Sequence, residues 1–236
     1  MNNKVVIAID AMGGENSPQK NIEGIKIFIN KNKNKDNYFF NIYGDQKIIE
    51  EEIKKNQIEL TNLKIYHSTS VVSDEETPLK AIKNSKNSSM WNSINSQLID
   101  NSDISLSAGN TAVLLVISKM LLKTIDKISK PALAGLWPSH KGTNVVLDLG
   151  ANIECNEKNL IEFSELGSAL YKSLFPEKKP IVALLNIGSE EIKGNEVIKE
   201  TYQQLNQKSH LDFEFKGYIE GNQLMNGDVN VIIADG

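Results

Sequence analysis

The stretch "DISLSAGNTAVLLV", residues 103–116, contains the fold in miniature. "ISLS" alternates apolar and polar residues as a short strand does, and "AVLLVISKMLLK" is an apolar run of helical length. Between them stand Ser107, Ala108, Gly109, Asn110 and Thr111, all small or turn-prone. A strand that leaves through such a turn into a helix is one βα unit. The turn is either a tight connection or a place where something sits close to the backbone.

The same pattern recurs outward along the chain. "KVVIAID" (4–10) is a buried strand, "AMGGEN" a turn, and Ser17 with Pro18 read as the N-cap and first residue of a helix to about residue 33. Strands follow at 37–45, 63–70, 131–139, 143–150, 180–188, 213–221 and 229–236. Helical spacing fills 46–56, 77–100 (interrupted at 84–89), 159–175 and 195–208. Strands alternating with helices imply an α/β fold, a mainly parallel sheet covered on both faces. Five strands leave through Gly-containing turns: "IDAMGG", "LSAGNT", "LDLGAN", "LNIGSE" and "IADG". Ligands of open α/β sheets sit at the carboxyl ends of strands, so these ends are read as one shared site. The last strand stops at Asp235-Gly236, where a covering helix is expected, so the chain reads as truncated at its C-terminal side.

Composition narrows the chemistry. The chain has 236 residues, 40% of them hydrophobic, and a formal net charge of −4, which argues against a nucleic-acid partner. No apolar run approaches the about 20 residues of a membrane helix, and "MNNKVVIAID" does not read as a signal peptide. The single cysteine, Cys155, excludes an internal disulfide framework. All 26 basic residues are lysine, so an anion must be held by lysine, backbone N–H groups or Ser, Thr and Asn.

The candidate site residues follow from these turns. Asp10, Gly13 and Gly14 precede a helix N-terminus, which favours an anion. Ser107, Gly109, Asn110 and Thr111 offer an anion nest or an oxyanion site, or they merely cap the next helix. Asp148 and Asn152 end a third strand, with Cys155 more plausibly structural than catalytic. Asn186, Gly188, Glu190 and Lys193 form a fourth group, with Lys193 placed to reach a phosphate. Lys83, Lys86, Ser88 and Ser89 form a patch suited to a phosphate or a carrier, or a plain surface segment. The histidines lack metal-ligand spacing, so no metal and no cofactor are expected, and neither GxGxxG, GxxxxGK[ST] nor GxSxG occurs.

Seven blocks, "DAMGGEN", "SSM" at 88–90, "SAGNT", "LDLGAN", "LNIGSEEIKG", "GYIEG" and the terminal "DG", stand in the order and spacing of the bacterial phosphate acyltransferases (PlsX-type). The resemblance runs from residue 4 to 236. It implies a Rossmann-like three-layer sandwich of the isocitrate/isopropylmalate dehydrogenase type, arranged as a single α/β domain over 1–236. It also implies fatty acyl transfer from acyl carrier protein to inorganic phosphate, giving acyl phosphate for phospholipid synthesis. The implied enzyme is a cytoplasmic homodimer working at the inner face of the membrane, beside a downstream membrane acyltransferase. Two departures are visible: Ala112 where the family has Gly, and Lys83 where it has Arg. The family continues for roughly a hundred residues past the "DG". Two other readings are a short-chain acyl-CoA:phosphate transferase of the phosphotransacetylase kind, and a non-catalytic fragment that binds acyl carrier protein.

In this scheme Gly109, Asn110 and Thr111, with Gly13 and Gly14, cradle phosphate or the oxyanion. Lys193, with Lys83 or Lys86, supplies positive charge. Asp10 or Asp148 orients the reactants or accepts a proton.

Overall fold

A computed structural model of the chain describes residues 4–59, 61–100, 102–188, 193–208 and 211–235. By contact the chain divides into two compact units, Met1–Lys123 and Thr124–Gly236, a subdivision that the sequence reading does not contain. Each unit has its own sheet, where the sequence pattern suggested one.

The first unit is built on four parallel strands, β1 (Val5–Asp10), β2 (Tyr38–Gly44), β3 (Leu63–His67) and β4 (Ile104–Ser107), in the order β3-β2-β1-β4. Helices α1 (Gln19–Lys31) and α2 (Gln46–Lys55) bury Ile22, Ile25 and Ile49 against Ile7, Ile9, Phe40 and Ile42. Beyond β3 come α3 (Pro78–Asn84) and α4 (Ser89–Ile99), and after β4 comes α5 (Thr111–Leu122). Ala81, Met90, Ile94, Val113 and Ile117 from these three helices form a separate core. Chain order reverses between β1 and β4: the strands run outward from β1 through β2 to β3, and then return to β1's other side. That reversal is where an open α/β sheet leaves a crevice at its carboxyl end.

The second unit has strands β5 (Gly135–Ser139), β6 (Gly142–Leu147), β7 (Ile181–Leu185), β8 (Glu214–Ile219) and β9 (Val231–Ile233), in the order β5-β6-β9-β7-β8. All neighbours are parallel except the β5–β6 hairpin. The last strand, β9, therefore lies in the middle of the sheet, between β6 and β7, which explains why "VII" is wholly buried. Helices α6 (Glu157–Leu174) and α7 (Glu196–Gln207) pack Leu160, Phe163, Ile198 and Leu205 onto Leu147, Val182, Val231 and Ile233. Gly167 lets α6 lie close, since a Cβ there would stand 2.6 Å from Leu147 Cδ1 and 2.7 Å from Val231 Cγ1.

Asparagine, abundant in the sequence, has a local use. Asn110, Asn156 and Asn195 cap α5, α6 and α7, each accepting from the backbone N–H of the third residue of its helix. Ser17 does not cap α1. Pro18 takes the cap position, and the Ser17 hydroxyl donates to the Met12 carbonyl at 2.7 Å, which ties down the loop after β1.

Candidate active site

In the first unit the ends of β1 and β4 are register partners, Asp10 opposite Ser107. The Ser107 hydroxyl donates to Asp10 Oδ2 at 2.7 Å and accepts from the Gly109 N–H at 3.2 Å. Met12 N–H donates to Asp10 Oδ1 at 3.3 Å. Asp10 is 1% exposed, and burial pushes its carboxyl above the usual carboxylate range. The hydroxyls of Ser89 and Ser107 and the backbone N–H groups of Met12 and Gly13 oppose the shift.

Two glycine loops meet over this carboxylate. A Cβ on Gly13 would stand 2.5 Å from Asp10 Oδ2 and 2.9 Å from both Gly109 N and Ser107 Oγ. One on Gly14, whose φ is +91°, would stand 2.8 Å from Ala108 Cβ and O. Only glycine permits this backbone-on-backbone contact. The 11–13 loop is held from α1 by Asn21, whose Nδ2 donates to Ala11 O at 2.9 Å and Gly13 O at 3.0 Å.

Asn110 is placed as the helix cap, the plainest of its three sequence readings. Its Oδ1 accepts from Val113 N–H at 3.1 Å, and its Nδ2 donates to Asp74 O at 2.9 Å and Glu76 O at 3.0 Å. Both amide protons are thereby committed to the 74–76 segment. The donors left at the start of α5 are the backbone N–H groups of Thr111 and Ala112, with no partner among the described residues, and the exposed Thr111 hydroxyl. They coincide with the positive end of the α5 dipole.

Ser88 caps α4 and is buried, its Oγ accepting from Trp91 N–H at 3.1 Å. Its neighbour Ser89 is fully buried beside Asp10, yet its hydroxyl has no hydrogen bond of standard geometry. Ser89 stands in the polar patch read from the sequence, whereas Asn21 is absent from the sequence-derived site. The "SSM" block carried a signal for the serine, while a lone polar residue on α1 carried none. Lys83 and Lys86 are exposed, Lys83 in the last turn of α3 and Lys86 in the turn beyond it. An apolar groove of about 410 Å³ runs along Ile7, Ile25, Phe28, Phe40 and Leu106 and reaches Ser107 at one end.

The second unit holds the remaining candidates. Asp148 follows β6, is 2% exposed, and accepts four hydrogen bonds of its own loop region. Oδ1 takes Leu133 N–H (2.7 Å) and Ala151 N–H (3.2 Å), and Oδ2 takes the Asn152 backbone N–H (2.8 Å) and Nδ2 (2.9 Å). Asn152 also donates to Pro131 O at 2.9 Å. Asn186 Nδ2 donates to Gly188 O and Lys193 O, each at 3.0 Å, and Lys193 is exposed. Glu190 lies outside the described residues. Burial, then Asp148, push the Cys155 thiol up, away from the thiolate form that a nucleophile needs. No group of three or more metal-ligating side chains occurs among the described residues.

The family model described as "fatty acid synthesis protein" matches residues 5–236. A phosphate acyltransferase from Pelagibacter ubique is 58% identical over 236 residues, covering 100% of this chain and 69% of that protein. A phosphate acyltransferase from Caulobacter vibrioides is 35% identical, covering 100% of this chain and 64% of that protein. The chain therefore spans about two thirds of the length of these relatives. Among solved structures, EutD phosphotransacetylase from Staphylococcus aureus superposes with a TM-score of 0.65 at 13% identity, over 99% of this chain and 78% of that one. A branched-chain phosphotransacylase from Enterococcus faecalis gives 0.60 at 14%, over 98% and 79%. These two share the α/β fold with this chain.

Proposed function

Because this chain belongs to the fatty acid synthesis protein family, we propose that it transfers a fatty acyl group from acyl carrier protein to inorganic phosphate. What supports the reading is 58% identity, along the whole chain, to a phosphate acyltransferase. The reaction needs no activated side-chain nucleophile. A phosphate oxygen attacks the thioester carbonyl, the C–O bond forms, the C–S bond breaks, and the proton of phosphate passes to the leaving thiolate. The protein must position an anion and stabilise the tetrahedral oxyanion, tasks that suit backbone N–H groups at a helix N-terminus.

In the first unit we assign the anion to the N–H groups of Thr111 and Ala112. Gly13, Gly14 and Gly109 allow close approach, Asp10 and Ser107 hold the two glycine loops together, and Asn110 and Ser88 cap their helices. In the second unit Asp148 and Asn152 hold one loop, Asn186 donates to Gly188 O and Lys193 O, and exposed Lys193 supplies a positive charge for an anion at that unit's own strand ends. No cofactor enters this scheme. The single-domain reading of 1–236, a homodimer, and a cytoplasmic place at the membrane face beside a downstream acyltransferase complete the proposal. No helix among the described residues is long and apolar enough to cross a membrane.

A comparison of donors tests the substrate class. Long-chain acyl carrier protein should yield hydroxylamine-trappable acyl phosphate, and acetyl-CoA should yield little. The reverse preference would select the phosphotransacetylase-like alternative. Carrier binding without thioester consumption would select a non-catalytic binding fragment.

A further inference from the structure

We propose that the exposed face of α3 is the docking surface for an acidic carrier protein that delivers the acyl thioester, an inference that rests on the acyl-transfer reading above. Residues 78–88 contain Lys80, Lys83 and Lys86 and no carboxylate. All three lysines are exposed, and none forms an ion pair among the described residues. Beside them Leu79 is 78% exposed and Ile82 41%. Leu79 and Ile82 are three residues apart on the helix, as are Lys80 and Lys83, so an apolar pair runs alongside a basic pair. An apolar centre with a charged rim is the anatomy of a transient protein interface, and unpaired lysines steer a partner of opposite charge.

The position of α3 supports the choice of partner. Ala81, on its inner side, is buried in one core with Val113 and Ile117 of α5. The segment just before α3 is fastened to the N-terminus of α5 through Asn110, which donates to Asp74 O and Glu76 O. A carrier docked on α3 is thereby held beside the helix that presents the Thr111 and Ala112 N–H groups. A membrane fits this face less well. Seven residues with two exposed apolar side chains are few for a helix that beds into a lipid interface.

The test is calorimetric titration of this chain with acyl carrier protein, comparing wild type with the Lys80→Glu/Lys83→Glu/Lys86→Glu variant. A Lys→Gln triple variant serves as a milder second substitution, with circular dichroism as the fold control. The expected result is a Kd weakened at least about tenfold by charge reversal, and less by neutralisation. The wild-type Kd should also rise with salt more steeply than either variant's. An unchanged Kd in the folded Glu variant would overturn the proposal. So would loss of binding to anionic phospholipid vesicles with carrier binding intact, which would make the face a membrane surface. Binding is read without turnover. A chain that binds the carrier through these lysines but makes no acyl phosphate would refute the activity and leave the docking surface standing.

Discussion

The hydroxyl of Ser107 donates to Asp10 Oδ2 at 2.7 Å, joining the carboxyl ends of β4 and β1 at the point where the first sheet reverses its chain order. This bond closes a short chain from Gly109 N–H through Ser107 to Asp10, with Gly13 wedged against all three. The two glycine loops are thus one structural object, although 97 residues separate the bonded pair.

Gly13→Ala tests that object. The added methyl would meet the Asp10 carboxylate at 2.5 Å and the Gly109 backbone at 2.9 Å. Overpacking of this kind costs about 1–3 kcal/mol, and turnover should fall with it. Gly24→Ala is the control, since nothing lies within 4 Å of a Cβ there and the helix should gain about 0.5–1 kcal/mol. Denaturant melts of both variants check the contrast. Equal effects would mean that the close approach is not a constraint.

Asp10 should leave a pH signature. Burial raises its carboxyl above the ordinary 3.8, so the folded chain holds this proton where the unfolded chain has lost it. Its contribution to stability is fully present below the usual carboxylate range and is lost as pH rises through the raised value. The unfolding free energy of wild type minus that of Asp10→Asn should therefore fall as pH rises from the ordinary 3.8 through the raised value. A difference that is flat or rising would contradict the shift.

Asn110 separates capping from tethering. Asn110→Ala loses the cap and both tethers, and should cost about 1 kcal/mol of stability. Turnover should fall by on the order of tenfold or more through misplacement of the α5 amides. Asn110→Asp keeps the acceptor for Val113 N–H but has no protons for Asp74 O and Glu76 O. It should recover much of the stability while turnover stays low. Recovery of both would show that the 74–76 tether is dispensable.

Asp148→Ala would strand the backbone N–H groups of Leu133, Ala151 and Asn152. An unsatisfied buried donor costs about 1–3 kcal/mol, and these three stand on half-buried residues that water partly reaches, so the second unit should be destabilised by less than three full penalties. A variant that melts like wild type would remove Asp148 as the organiser of its loop.

Much of this fold was readable from period and punctuation. The strand–turn–helix reading of 103–116 places β4 and α5 correctly, and helices read from 46 and 195 begin at Gln46 and Glu196, while the one read from 159 begins two residues earlier, at Glu157. The two-sheet division was not readable, because 123–134 carries no Gly- or Ser-rich linker to mark it. The direction of side chains was also hidden. Asn110 was recognised as a polar group at a helix start, but its amide partners lie 34 and 36 residues away. Ser17 looked like a cap because Pro follows it, yet its hydroxyl found the Met12 carbonyl. Asn21 looks like any surface residue of an amphipathic helix until the loop it pins is in place.

The central claim is that phosphate is the acyl acceptor. Phosphorus NMR of this chain with acyl carrier protein and inorganic phosphate tests it directly, alongside titration of released thiol. The account predicts an acyl phosphate resonance growing in step with free thiol, and lost in Gly13→Ala. Thiol release without that resonance, or at the same rate without phosphate, would contradict it.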